Sequence, residues 1–372
     1  MGRNANHEGS VYKREDGRWC AALCLPGGRR KTAYAKTRAE ASKKLTALLK
    51  AREDGLPVVS DRITVKAFLT DWLKTAKTTL RPRTHLRYEQ LIRVHVIPVI
   101  GSVALSRLTP AQVQSLYTRA LTTLAPATTR QIHAILHRAF RQGVQWGQLV
   151  RNPTDALVAP RVERHEMKYY DTAQAMALLD AARGDRLEAL YALAVTAGLR
   201  QGELLGLRWS DIDLDNASAH VQWTLQRTPD GFVLAPPKTS RSRRTVALTG
   251  VAVDALRRHR VRQAQERLAI GGAWEQPEMV FTTEMGRYID GGNLRYSFNP
   301  LMRRAGLPTI RFHDLRHSAA TLLLAQGVPA KIVSDMLGHS TINITLDTYS
   351  HVTEGMQRQA ASAMDMALGW GG

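Results

Sequence analysis

Glycine and proline clusters cut this chain of 372 residues into three stretches that differ in hydrophobic period and in charge. That punctuation argues against one continuous core, because each stretch must bury its own apolar pattern. Residues 1–60 carry 13 basic and 6 acidic side chains, residues 61–165 carry 16 and 5, and residues 166–372 carry 23 and 21. The balances are +7, +11 and +2 within a net charge of +20. A surface for a polyanion is therefore expected mostly in the N-terminal half, with nucleic acid as the first choice and an anionic membrane surface as the second. No apolar run reaches the ~18 residues of a membrane span, and no signal pattern opens the chain. Cytoplasmic residence without a membrane partner is the expectation. Cys20 and Cys24 lack companions at metal-ligand spacing, so no metal site is expected, and both are read as small hydrophobes within a strand.

The first stretch reads as three short strands, 10–13, 18–23 and 29–34, turned by Asp16-Gly17 and Pro26-Gly27-Gly28. Thr37 then opens a helix, with Glu40 at the capping-box position. Arg18, Arg29, Arg30 and Lys31 would place one face of this sheet in a DNA groove, unless the face is merely a solvated basic one. The second stretch is helical. Thr64 caps a helix carrying Val65, Phe68, Leu69, Trp72 and Leu73 at helical spacing. Arg83 to His95 forms a second helix stopped by Pro98 and Gly101, Thr109-Pro110 with Gln112 opens a third, and 128–146 makes a fourth. Arg81, Arg83, Arg87 and Arg93 on the second helix are candidate phosphate contacts, the alternative again being a solvated face. In the third stretch Asp171 caps a helix with Gln174 in the capping-box position, strands are expected at 219–225, 232–235 and 244–248, and helices dominate thereafter.

This third stretch is nearly neutral yet holds concentrated cationic motifs. Gly198 permits a tight turn into a helix whose first turn holds Arg200, with Glu203 three residues on, where it can orient the guanidinium. His313 and Arg316, also three apart, can converge on one anion near a helix N-terminus. Gly338 suits the residue after a helix spanning 329–337, which leaves His339 at the helix end, and Tyr349 stands ten residues further on.

The ordered set Arg, His-x-x-Arg, Gly-His and Tyr resembles the tyrosine recombinase (phage integrase) family. The resemblance covers the whole third stretch, and extends more weakly to a helical core-binding domain and a small arm-binding domain. Carried over, it makes Arg200 and Arg316 the phosphate-clamping arginines, His313 and His339 the active-site histidines and Tyr349 the nucleophile. Lys238 occupies the place of the family's catalytic lysine on a β-hairpin, although Arg241, Arg243 and Arg244 crowd it, and Glu203 matches the acid that braces the first arginine. The chemistry agrees. Two guanidinium groups suit the charge that builds on phosphoryl oxygens during displacement. A tyrosine hydroxyl of pKa ~10 needs a proton acceptor, for which His313 is the candidate, and the departing 5′ oxygen needs a donor, for which Lys238 is. His339 is expected to hydrogen-bond the scissile phosphate. His317 and His351 are assigned to support, and Tyr169, Tyr170, Tyr288 and Tyr296 are alternative hydroxyls off the family spacing.

The expected fold is thus a mostly α, α+β multidomain chain. Residues 1–60 would be a sheet-plus-helix domain for arm-type DNA, 61–160 a helical core-binding domain, and 161–372 a mixed α/β catalytic domain. The expected function is site-specific recombination through a 3′-phosphotyrosine and a Holliday junction, integrating or excising a mobile element. No cofactor is implied. The partners are double-stranded DNA attachment sites, three further copies of the chain, and DNA-bending and directionality factors. A resolvase, a type IB topoisomerase or a non-catalytic DNA-binding regulator are the alternatives. Met356, Ala360, Met364 and Leu368 form a narrow apolar stripe beyond Gly355. By pattern it could pack on its own domain as well as on another; the resemblance implies docking on a neighbouring protomer.

Overall fold

The computed structural model describes residues 9–24, 30–53, 63–163, 167–237, 242–338, 341–348, 361–362 and 364–368. They group into two compact units, 1–164 and 165–372. The first unit opens with β1 (Ser10–Lys13), β2 (Trp19–Cys24) and β3 (Arg30–Ala35), antiparallel in that order, with Tyr12, Cys20 and Tyr34 in register. Gly17, at φ +80°, supplies the left-handed residue of the first hairpin. Helix α1 (Arg38–Glu53) packs on the face carrying Ala21 and Ala35, meeting them through Ala41. Small residues on both sides let helix and sheet approach closely. The Thr37 hydroxyl accepts from Glu40 N at 3.3 Å, whereas the Glu40 carboxylate reaches back to Lys36 N rather than to the cap itself. The cysteines correct the expectation in part: Cys20 is buried, but Cys24, at the strand end opposite Arg30, is exposed.

The helical part of this unit comprises α2 (Val65–Ala76), α3 (Pro82–Leu91), α4 (Ile97–Ile100), α5 (Pro110–Leu121) and α6 (Pro126–Gln145). Phe68, Leu69 and Trp72 of α2 meet Leu116 and Tyr117 of α5 and Ile135 and Phe140 of α6 in one core, with Phe68 and Phe140 stacked at 5.9 Å. Thr64 caps α2, and Thr109 with Gln112 completes a reciprocal capping box on α5. Pro98 does not stop the helix as the sequence suggests. The chain widens into a π-helical turn over Ile92–Val96, and Pro98 falls in the first turn of α4, where its missing N–H is no loss.

The second unit is built around α8 (Glu188–Thr196), whose residues from Glu188 to Val195 are all buried. A helix apolar all round belongs at a centre. Helix α7 (Thr172–Ala181), capped by Asp171 and Gln174, precedes it, and α9 (Gln201–Leu205) follows. Strands β4 (Ile212–Asp213), β5 (Ser218–Val221), β6 (Thr224–Thr228), β7 (Gly231–Ala235) and β8 (Arg244–Ala247) form two sheets, β4-β5-β8 and the hairpin β6-β7. The single strand expected at 219–225 is therefore two. The chain leaves β8 after Val221 and takes β7 as partner from Thr224, because the hairpin needs its own ladder. Helices α10 (Gly250–Ile270), α11 (Leu294–Arg304), α12 (Asp314–Ala325), α13 (Ala330–Leu337) and α14 (Ile342–Thr348) complete the unit. Leu322 and Leu323 are only half-buried; Leu315, Ala319, Ala320 and Leu324 are the residues that seat α12.

Candidate active site

The site grows from the turn between α8 and α9. Gly198, at φ +59°, reverses the chain there, and Arg200 becomes the N-cap of α9. Glu203, three residues on, faces back: one carboxylate oxygen accepts from Arg200 Nη1 at 2.7 Å, and the other accepts from Arg200 N at 3.1 Å and from Arg244 Nη2 at 3.0 Å. Glu203 is only 2% exposed. Burial pushes its carboxyl up, but the guanidinium groups of Arg244 and Arg200 outweigh that and hold it below the ordinary carboxylate range. Glu203 therefore stays charged and keeps the Arg200 fork aimed.

Arg316 approaches from α12. It is 4% exposed and donates from Nη1 to Gly198 O and from Nη2 to Leu337 O, both at 2.7 Å. Arg200 donates from Nη2 to Gly338 O at 2.9 Å. The two arginines thus end on adjacent carbonyls, Leu337 and Gly338, although they stand 116 positions apart in sequence. Gly338 adopts φ +66°, the left-handed C-cap of α13 that the sequence indicates.

His313 is the N-cap residue of α12 and is exposed at the mouth of the site. Partial desolvation, then the Arg316 cation, lower its affinity for a proton, which leaves a neutral imidazole able to accept one. His317 packs edge-on against it at 5.5 Å and is pushed down to about 4, first by burial and next by His313. Asp314 accepts from Arg311 Nη2 at 2.7 Å and Arg311 N at 2.8 Å, an anchor for the start of α12. Beside His313 lies an open cleft of about 770 Å³ whose walls include Lys168, Gln201, Arg295 and Arg311.

Among the alternative hydroxyls, Tyr170 is buried, donates to Pro308 O at 2.7 Å and is pushed up to about 12 by burial. Tyr288 packs on Phe232, and Tyr296 lies under Arg295. Tyr169 is partly exposed. Lys238, His339, Tyr349 and His351 lie outside the described residues, as does Arg29. The segments beside them are described: β7 and β8 on either side of Lys238, α13 and α14 on either side of His339, and α14, on the N-terminal side alone, for Tyr349. Arg244 is the member that sequence reasoning left among several hairpin cations. Its signal was tertiary, a pairing with Glu203 across 41 residues.

Of the expected DNA-contacting residues in the first unit, Arg18 is exposed, pairs with Asp16 at 2.7 Å and sits over the Tyr34 ring at 5.5 Å. Arg30 is exposed at the start of β3, and Lys31 stands opposite Leu23 in the same strand. Arg81, Arg83 and Arg93 are exposed, while Arg87 is half-buried and donates to Gln90 at 3.1 Å and Gln131 at 3.4 Å.

Two arginines converging on one helix end make a site suited to an anionic group, and comparison gives the family. Residues 168–356 match the phage integrase family, and residues 64–121 match the phage integrase N-terminal SAM-like domain. A protein described as "Tyrosine recombinase XerC-like" from Caldanaerobacter subterraneus is 31% identical over 357 residues, covering 90% of this chain and 91% of the relative. An integrase of Streptomyces ambofaciens is also 31% identical, covering 94% and 93%. Among solved structures, the Tn1549 transposon integrase in complex with transposon right end DNA aligns at TM-score 0.67 and 21% identity, over 80% of this chain and 100% of that one. A lambda integrase tetramer bound to a Holliday junction aligns at 0.58 and 18%, over 94% and 96%. The chain belongs to the phage integrase family and is a tyrosine-type site-specific recombinase. No helix among the described residues is long and apolar enough to cross a membrane.

Proposed function

We propose that this chain integrates or excises a mobile element by cleaving and rejoining double-stranded attachment sites through Tyr349. The observation that carries the reading is the meeting of Arg200 and Arg316 on adjacent carbonyls at the end of α13, immediately before His339. Two forked cations held that close suit the non-bridging oxygens of one phosphate, where charge builds during displacement. The tyrosine oxygen attacks phosphorus and passes its proton to His313. The phosphorus–5′-oxygen bond breaks, and Lys238 protonates the departing oxygen. His339 hydrogen-bonds the phosphate. The 3′-phosphotyrosine retains the energy of the broken bond, so religation to a second strand is nearly isoenergetic. Two rounds of exchange pass through a Holliday junction.

Residues 1–60 are an arm-DNA reader, 61–160 the core-binding domain and 161–372 the catalytic domain. The separate apolar core around Ala21, Ala35 and Ala41 and the division of the chain at 164 support this partition. Arg18 and Arg30 serve the arm site together with Arg29 and Lys31, and Arg81, Arg83, Arg87 and Arg93 serve the core-site phosphates. Four copies assemble on DNA, with bending and directionality factors acting on the arm sites, in the bacterial cytoplasm. Exposure of Met364 (59%) and Leu368 (65%) supports docking of the C-terminal tail on a neighbouring copy. The test is a nicked suicide substrate followed by denaturing electrophoresis. Tyr349→Phe, which removes one oxygen and keeps the ring, should abolish the protein–DNA adduct and leave specific binding intact. An adduct that persists, or that maps to Tyr296 or Tyr169, would overturn the assignment.

A further inference from the structure

Three arginines end on three consecutive carbonyls at the C-terminal end of α13. Arg244 Nε donates to Met336 O at 2.5 Å, Arg316 to Leu337 O at 2.7 Å and Arg200 to Gly338 O at 2.9 Å. The last carbonyls of a helix lack intrahelical donors and lie at the negative end of its dipole, so cations are stabilising there. Two of these arginines form the phosphate clamp. The third takes no part in the chemistry described above, and its guanidinium is committed inside the protein. Besides Met336 O, it donates from Nη2 to Glu203 and from Nη1 to Ser242 O at 3.1 Å, and its side chain is only 7% exposed.

We propose that Arg244 is a positioning residue for recombination, fastening Glu203, the end of α13 and the start of β8 into one unit that sets the aim of Arg200. The proposal rests on the reading of Arg200 as a phosphate clamp. Glu203 gives one oxygen to Arg200 Nη1 and shares the other between Arg200 N and Arg244 Nη2, so Arg244 bears directly on the carboxylate that aims the Arg200 fork. Arg244 also ties the turn that enters residue 339 to the strand that leaves the 238–241 segment. Three pieces of the site far apart in sequence are joined through one side chain. Gly338 is part of the same device: a Cβ there would stand 2.9 Å from Arg244 Nη1. Lysine cannot replace the fork, because one ammonium does not span Glu203 and Met336 O in a fixed geometry.

The experiment measures single-turnover adduct formation by full-length Arg244→Lys and Arg244→Gln on a nicked duplex of the chain's own junction sequence. Protein concentration is varied to separate the maximal rate from half-saturation, and Tyr349→Phe serves as the blank. The maximal rate should fall on the order of 10²-fold for Arg244→Gln, the size expected for a clamp displaced by about 1 Å, and by less for Arg244→Lys. Half-saturation should stay at the wild-type value. Thermal melting of Arg244→Lys reports that it is folded at the assay temperature. Because both residues act through Arg200, Glu203→Gln/Arg244→Lys should cleave no more slowly than Glu203→Gln alone. A maximal rate of Arg244→Lys equal to wild type, a loss confined to half-saturation, or an additive loss in the double variant would each overturn the role of Arg244. A wild-type protein forming no adduct at Tyr349 would instead overturn the reading of the site on which it rests.

Discussion

Substituting Gly198→Ala tests the turn on which both arginines depend. At φ +59° an alanine incurs about 1 kcal/mol of backbone strain. Its Cβ would stand 2.5 Å from Leu337 Cδ2 and 3.3 Å from Ala319 Cβ. Leu337 is fully buried and packs with Ala320, Leu324 and Val333, so it cannot step aside freely. Overpacking of this kind costs a further ~1–3 kcal/mol, and the combined loss should be roughly 2–4 kcal/mol. For a unit of this size each kcal/mol lowers the midpoint by about 2–4 °C, so the transition of the second unit should fall by roughly 5–15 °C. Cleavage should fall as well, because Gly198 O is one of the two carbonyls that receive Arg316. Differential scanning calorimetry reads the first effect and suicide-substrate cleavage the second. A Leu337→Val background withdraws the offending methyl, so the two changes should couple by roughly 0.5–3 kcal/mol. The same loss in both backgrounds would refute the steric part of the argument, and no loss in either would refute all of it.

Deleting residues 1–60 should spare core-site cleavage, impair integrative recombination and give a shallower dependence of binding on salt, since fewer counterions are released; an unchanged slope with unchanged recombination would show that the segment is no arm reader. Truncation after Thr353 should leave monomer binding intact and prevent synapsis, because burying Met364 and Leu368 on a neighbour contributes roughly 1.5–3 kcal/mol each; normal synapsis and strand exchange would exclude docking between copies. The catalytic unit should lose stability as pH falls from about 6.5 toward 4. His317 has a folded pKa of about 4, so over that window the unfolded chain takes up a proton that the folded one refuses. The stabilisation is full above pH 6.5 and is on the order of 2–3 kcal/mol after solvent screening. His317→Gln should flatten that segment of a urea-midpoint profile, and an unaltered slope would assign the acid loss elsewhere.

What could be read in the sequence was local or ordered. The capping boxes of Thr109 with Gln112 and Asp171 with Gln174, and the left-handed Gly338, involve residues within one helical turn of one another, so spacing alone specifies them. The order of Arg200, His313, Arg316, His339 and Tyr349 carried the family resemblance without any geometry. Other features depended on partners that spacing cannot supply. Pro98 looked like a stop and became the first turn of a new helix, because a π-helical turn upstream absorbed the mismatch. The strand read at 219–225 divided because its two halves pair with different strands, β8 and β7. Cys24 is exposed because it is the last residue of its strand, a matter of position along the strand rather than residue type. Arg244 looked like one of several cations on a hairpin, and only the packing of β8 beside α13 and α9 brings its guanidinium to Glu203 and Met336 O. A hydrogen bond from one residue to another three positions on is set by helix geometry, whereas a bond across 41 or 92 residues exists only once the core has brought the two elements together.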